Sequence, residues 1–151
     1  MSGLPPLSAD HVPSAWRAAY EATTYRVFVA GRRVDLRLGV AHPHLRAWLE
    51  VQQTDKFAII TAYNPGSILQ APWHNRRRQR HLRAELRRRG WLAGWGKNLA
   101  DRGGWPVEKT CLALGLDEEA ARRLGVRYGQ NAVVVGDADA VPRLLWIKED
   151  T

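Results

Sequence analysis

The run Phe57-Ala58-Ile59-Ile60 is apolar at every position, and no other segment constrains the fold as strongly. Successive side chains of a strand point to opposite faces of a sheet, so a strand with no polar position must be covered on both sides. With Thr61, Ala62 and Tyr63 added, residues 57–63 read as the central strand of a sheet. The turn chemistry of Asn64-Pro65-Gly66-Ser67 then redirects the chain.

The rest of the pattern fills in around this strand. Residues 1–11 carry Pro5 and Pro6 without periodicity and read as a flexible N-terminal tail, leaving 12–151 as one domain. Pro13 opens a first helix, with Val12, Trp16, Ala19 and Tyr20 at helical spacing. Residues 25–30 and 34–38 read as a hairpin, in which Val34, Leu36 and Leu38 alternate with Asp35 and Arg37. Pro43 opens a second helix with Leu45, Trp48 and Leu49 on one face, and His42 and His44 flank that proline as capping residues.

A third helix spans 72–89 and stops at Gly90. Strands follow at 91–96 and 107–114, separated by a Gly-rich loop at 98–104. Asp117 caps a fourth helix, with Arg122 and Arg123 in its last turn and Gly125 as its end. Strands at 131–135 and 143–147 close the chain. The order α-β-β-α-β-α-β-β-α-β-β, with short hairpin-like links, predicts an α+β domain. Its sheet is mixed and mostly antiparallel, packed by about four helices, and not doubly wound.

At 151 residues the chain is long enough to bury a core, and 45% hydrophobic with 25% charged residues is an ordinary globular composition. No apolar run approaches the roughly 18 residues of a membrane helix, and the N-terminus lacks the basic and apolar regions of a signal peptide. The one cysteine, Cys111, fits a reducing compartment. These features predict a cytoplasmic protein without a membrane partner. The formal net charge of +8 favours anionic partners.

Eight arginines lie between positions 76 and 89. With Leu82 taken as inward and 100° per residue, Arg76, Arg77, Arg80, Arg87 and Arg88 point outward by more than roughly 100°. This basic surface is equally explained as a solvated face or as a set of phosphate contacts. Asn75 and Arg78 break the pattern, lying roughly 20° and 40° from Leu82 on the buried side. A buried arginine needs a partner. Glu108 shares strand parity with Thr110, Leu112 and Leu114, and an Arg78–Glu108 pair is the expectation.

Four pieces, taken together, resemble a bacterial family, domain of unknown function 3293. They are ITAYNPGS at 60–67; Asn75, Arg78, Leu82, Leu86 and Gly90 at their spacing; WPVEKT at 105–110; and YGQNAVV at 128–134. The resemblance covers about residues 16–136, with Thr110 where the family pattern has serine. It implies site positions and carries no reaction with it. Only Arg78 among the eight arginines belongs to the pattern.

Several chemistries lack their residues. Ser67 is the only serine after position 14, and no Gly-x-Ser-x-Gly elbow surrounds it. Cys111 alternates with Val107 and Ala113 as a core residue would. His74 and His81 are roughly 10 Å apart along one helix, too far to share a metal, and no metal or cofactor site is expected. GWGKN at 94–98 mimics a phosphate loop without its first glycine or its Ser/Thr. What remains is a polar set: Thr61, Tyr63, Asn64, Asn75, Arg78, Gln130 and Asn131 as ligand-binding residues, with Glu108 and Arg78 as candidate catalytic ones. It predicts a pocket for a polar anionic ligand, a nucleotide or nucleic acid, where Asn64, Asn75 and Arg78 meet at the end of the central strand. Two alternatives stand beside it. One is a small enzyme with Glu108 as general acid/base and Arg78 as anion stabiliser; the other is a basic interaction surface with no pocket.

Overall fold

The computed structural model describes residues 14–147; the expected N-terminal tail lies outside them. Twelve elements follow in order. They are α1 (Ser14–Glu21), β1 (Thr23–Val29), β2 (Arg32–Leu36), α2 (Pro43–Gln52), β3 (Phe57–Ile60), a single 3-10 turn (Pro65–Ser67), α3 (Pro72–Arg88), β4 (Leu92–Ala100), β5 (Glu108–Leu114), α4 (Glu118–Arg127), β6 (Ala132–Gly136) and β7 (Arg143–Trp146). The seven strands form one sheet in the order β2-β1-β4-β5-β3-β6-β7, and all six pairings are antiparallel. The expected α+β class is therefore observed, with a purely antiparallel sheet in place of a mixed one.

β3 sits between β5 and β6 and all four of its residues are buried, as a strand without polar positions requires. Its alternate side chains feed two cores. Ala58 and Ile60 join Leu82, Leu86, Cys111, Ala113 and Leu124 under α3 and α4. Phe57 and Ile59 join Tyr25, Val27, Leu45, Leu49 and Leu112 under α2 on the opposite face. The strand ends at Ile60, so Thr61, Ala62 and Tyr63 lie beyond it rather than in it; they are buried all the same.

The β1–β2 hairpin turns on Ala30 and Gly31, both at positive φ (49° and 76°), the conformation that a two-residue turn demands. Asp117 caps α4 by accepting from the Ala120 N–H at 2.7 Å. That helix runs past Gly125 to Arg127. Gly125 does not end it; the position is buried against Ile147, and a Cβ there would lie 2.6 Å from that side chain. His42 makes no capping bond to α2, contrary to expectation, and Pro43 alone marks that helix start. β4 continues to Ala100 through residues expected to be loop.

GWGKN is part of β4, and its glycines serve strand packing. A Cβ on Gly96 would stand 2.0 Å from the Arg26 carbonyl oxygen and 2.9 Å from Thr110 Oγ1. Backbone cannot yield as a flexible side-chain end does. Gly96→Ala is expected to cost about 1–3 kcal/mol or more, read as a lower urea midpoint with unchanged m-value. No helix among the described residues is long and apolar enough to cross a membrane.

Candidate functional site

The polar residues past β3 bind one another before they can bind anything else. Thr61 Oγ1 donates to the Lys109 carbonyl (2.7 Å) and accepts from the Tyr63 N–H (3.1 Å). On α3, Gln79 Oε1 accepts from the Ala62 N–H (2.8 Å) and Asn75 Oδ1 from the Asn64 N–H (2.9 Å). Backbone groups left without a sheet partner are thus satisfied by helix side chains, as burial demands.

Asn64 is the joint of this arrangement. Its φ of 45° is left-handed, a conformation asparagine tolerates better than most residues. Its Oδ1 accepts from Asn75 Nδ2 (2.8 Å) and the Gln70 N–H (2.9 Å), while its Nδ2 donates to Glu108 Oε2 (2.8 Å). The side chain therefore joins α3, on one face of the sheet, to Glu108 on the other.

Arg78 works as a clamp. Its Nε donates to the Ala62 carbonyl (3.1 Å) and its Nη2 to the Tyr128 carbonyl (2.8 Å). Gln130 Nε2 donates to the Tyr63 and Tyr128 carbonyls, both at 3.1 Å, and the Gly66 N–H to the Gly129 carbonyl at 2.7 Å. Together these bonds lock the turn after β3 to the turn after α4. Arg78→Ala is expected to lower stability by about 2–3 kcal/mol, since it strands carbonyls held by a charged donor. Lysine should not restore the loss, because a point charge cannot span both carbonyls. Chemical denaturation of the three proteins measures it.

The expected Arg78–Glu108 pair does not form. Glu108 lies on the Leu112 face by strand parity, whereas α3 packs on the Cys111 and Ala113 face. The sheet itself separates them.

A cavity of about 340 Å³ opens on the Glu108 side. Its floor is one cross-strand row, Tyr25, Asn98 and Glu108, in β1, β4 and β5. α1 contributes Trp16 and Tyr20, and the loop after β4 contributes Arg102 and Trp105. Asn64, Ser67, Gln130 and Asn131 complete the wall, with Asn131 Nδ2 donating to Ser67 Oγ at 2.8 Å. Of the expected site residues, Asn64, Glu108, Gln130 and Asn131 meet here. Thr61, Tyr63, Asn75 and Arg78 do not line the cavity and hold its wall from behind. The point where Asn64, Asn75 and Arg78 meet is thus a buttress, not the expected pocket.

Two polar atoms in the cavity wall are buried and find no hydrogen-bond partner among the described residues: the Trp16 Nε1–H donor and the Asn98 Oδ1 acceptor. Glu108 forms no ion pair among the described residues; its Oε2 accepts from Asn64. Burial pushes the Glu108 carboxyl above its ordinary value, although the Asn64 and Trp105 side chains favour the charged form. Burial, with the Glu108 charge second, likewise raises the Tyr20 phenol.

Helix geometry also holds two residues that the arginine pattern obscured. Gln79 and Glu85 each lie roughly 60° from Leu82, within the inward stripe, and both are buried. Glu85 accepts from Tyr128 Oη at 2.8 Å and pairs with Arg127. Burial pushes its carboxyl up, but those two bonds together with the Arg127 and Arg89 charges outweigh burial and hold it below its usual value. That stabilisation is present above the ordinary carboxylate value of about 4.3 and is lost as pH falls through the lowered one. Arg76, Arg77, Arg80, Arg87 and Arg88 are exposed, as their angles require. Cys111 is core, its thiol pushed up to about 11 by burial. No group of three or more His, Cys, Asp or Glu among the described residues could hold a metal ion.

No curated protein and no solved structure matched the chain. Residues 60–133 match a family model. That segment runs from the end of β3 through α3, β4, β5 and α4 into β6, and so carries Asn64, Arg78, Asn98, Glu108 and Gln130. Over that segment the chain matches the family described as Protein of unknown function (DUF3293).

Proposed function

We propose that the protein binds a nucleoside or nucleotide in the cavity on the Glu108 side, with the base inward and any phosphate outward. The observation that carries this reading is a half-buried carboxylate with no ion-pair partner among the described residues, facing aromatic walls that also hold a donor and an acceptor without partners among those residues. Such a site calls for a ligand bearing N–H donors for Glu108 and a carbonyl for Trp16 Nε1–H. A guanine edge has both, and aromatic side chains suit a planar ring. The volume of about 340 Å³ is at the small end for such ligands. An anionic group has no place at Glu108 itself; Arg102, exposed at the rim, is the cation available to it. A cytoplasmic setting, where nucleotides abound, goes with this reading.

Thermal-shift and calorimetric titration with the four common ribonucleoside monophosphates, and with IMP, tests it. A rise in Tm with GMP that weakens with IMP, which lacks the exocyclic amine, is expected. Silence from all of them at millimolar concentration sinks the proposal. A second reading rests on the raised Glu108 carboxyl, which suits a general acid/base. In that reading Arg78 plays no part as an anion stabiliser, because its guanidinium is occupied by two backbone carbonyls.

A further inference from the structure

The sheet has a second exposed feature on the face opposite the cavity. α3 covers β5 and part of β4 there, and α4 covers β6 and β3. Beyond α3 the side chains of β4, β1 and β2 on this face are half-buried or exposed. Two cross-strand rows occupy it. The first is Arg33–Phe28–Trp95, in which the Phe28 and Trp95 rings stack at 4.2 Å and 20°. Trp95 is still 52% exposed. The second row is Asp35–Arg26–Lys97–Lys109, three cations side by side on adjacent strands.

Like charges directly opposite one another weaken a sheet, so this row is a cost to the fold. Arg26 is offset by Asp35 at 2.8 Å. Lys97 and Lys109 have no acidic partner within 4.0 Å among the described residues. The positive charge continues onto α3. Gln79 and Arg83 border a groove of about 410 Å³ together with Trp95 and Lys109. On the same side of the helix as Gln79, helix geometry sets Arg76, Arg80 and Arg87 roughly 120–160° from Leu82, whereas Arg77 and Arg88 fall on the far side.

We infer that this face is a docking surface for single-stranded nucleic acid. Its phosphates would run between the Lys97/Lys109 row and the Arg76/Arg80/Arg83/Arg87 side of α3, with a base stacked on Trp95. The charge row supplies the attraction to phosphate. The exposed indole selects a single strand, because only unpaired bases offer their faces for stacking.

Fluorescence anisotropy of a fluorescein-labelled twelve-nucleotide oligo(dT), with oligo(U) and a duplex of equal length alongside, decides it. Both single strands should bind more tightly than the duplex. The double variant K97A/K109A should weaken binding at least about tenfold and flatten the log–log salt slope by about 1.4, at roughly 0.7 per lost phosphate contact on a single strand. Trp95→Ala should weaken binding about tenfold with the slope unchanged. R77A/R88A removes the same charge from the far side and should change affinity less than twofold. Glu108→Gln should leave it untouched, which separates this surface from the cavity. The inference is overturned if neither single strand binds at 50 mM salt, if the duplex binds better, or if R77A/R88A weakens binding as much as K97A/K109A. It is equally overturned if Trp95→Ala binds normally. Far-UV circular dichroism confirms that each variant is folded.

Discussion

Asn64→Ala is expected to cost about 3–5 kcal/mol, enough to unfold much of a marginally stable domain of this size. The sum has two causes. Asn75 Nδ2 and the Gln70 N–H lose their shared acceptor, and Glu108 loses its donor. A buried polar group without a partner costs about 1–3 kcal/mol, with water relieving some of it. Alanine is also poorer than asparagine at a φ of 45°. Asn64→Gly separates the two causes, since glycine meets the backbone requirement and keeps only the hydrogen-bond loss. Asn64→Asp makes the sharper test: it keeps the acceptor but sets a second carboxylate against Glu108. Two carboxylates in one site share a proton at a raised pKa. This variant should therefore be most stable at low pH and lose stability as pH rises through that shared value. Urea midpoints of the three variants between pH 4 and 8 measure the effect, and an Asn64→Asp protein as stable as wild type at neutral pH would contradict the arrangement.

The same residues show how far the sequence reaches. Parity along β5 correctly puts Glu108 with Leu112, and helix angles correctly turn Asn75 inward and five arginines outward. Both local readings hold, yet the Arg78–Glu108 pair inferred from them fails. Neither periodicity says which face of the sheet a helix will cover, and α3 covers the Cys111 side. Gln79 and Glu85 were within reach of the same angle rule; their polarity, amid eight arginines, masked them. The cavity wall was less legible. Asn98 reaches the site because β4 pairs with both β1 and β5, which sets it between Tyr25 and Glu108. Its Gly-rich neighbourhood reads as loop, and pairing between distant strands leaves no trace in local spacing. Trp16 likewise shows only helical periodicity, which places it on an apolar face without saying what that face covers.

Glu108→Gln is expected to stabilise the free protein and to weaken ligand binding severely. Burial raises the Glu108 carboxyl, so the folded protein holds that proton more tightly than the unfolded chain does. The stability this gives is full below the ordinary value of about 4.3 and is lost as pH rises through the raised one. Glutamine keeps an oxygen to accept from Asn64 and carries no charge to bury. At pH 7 the variant should gain about 0.5–2 kcal/mol, the range of single stabilising changes, and the wild-type loss of stability with rising pH should flatten. Ligand binding should move the other way. Removing one partner of a buried charged hydrogen bond costs about 2–5 kcal/mol of affinity, a loss of roughly 30-fold or more. Wild-type affinity for the nucleotide should also strengthen as pH rises through the Glu108 value, and the variant should show no such dependence. A residue kept for structure would be missed when it is replaced; a gain in Tm together with lost binding is what separates a site from a strut. Calorimetric titrations and melting curves across pH 4–8 read both quantities on the same samples, and a Glu108→Gln protein that melts lower than wild type at pH 7 would return Glu108 to the frame.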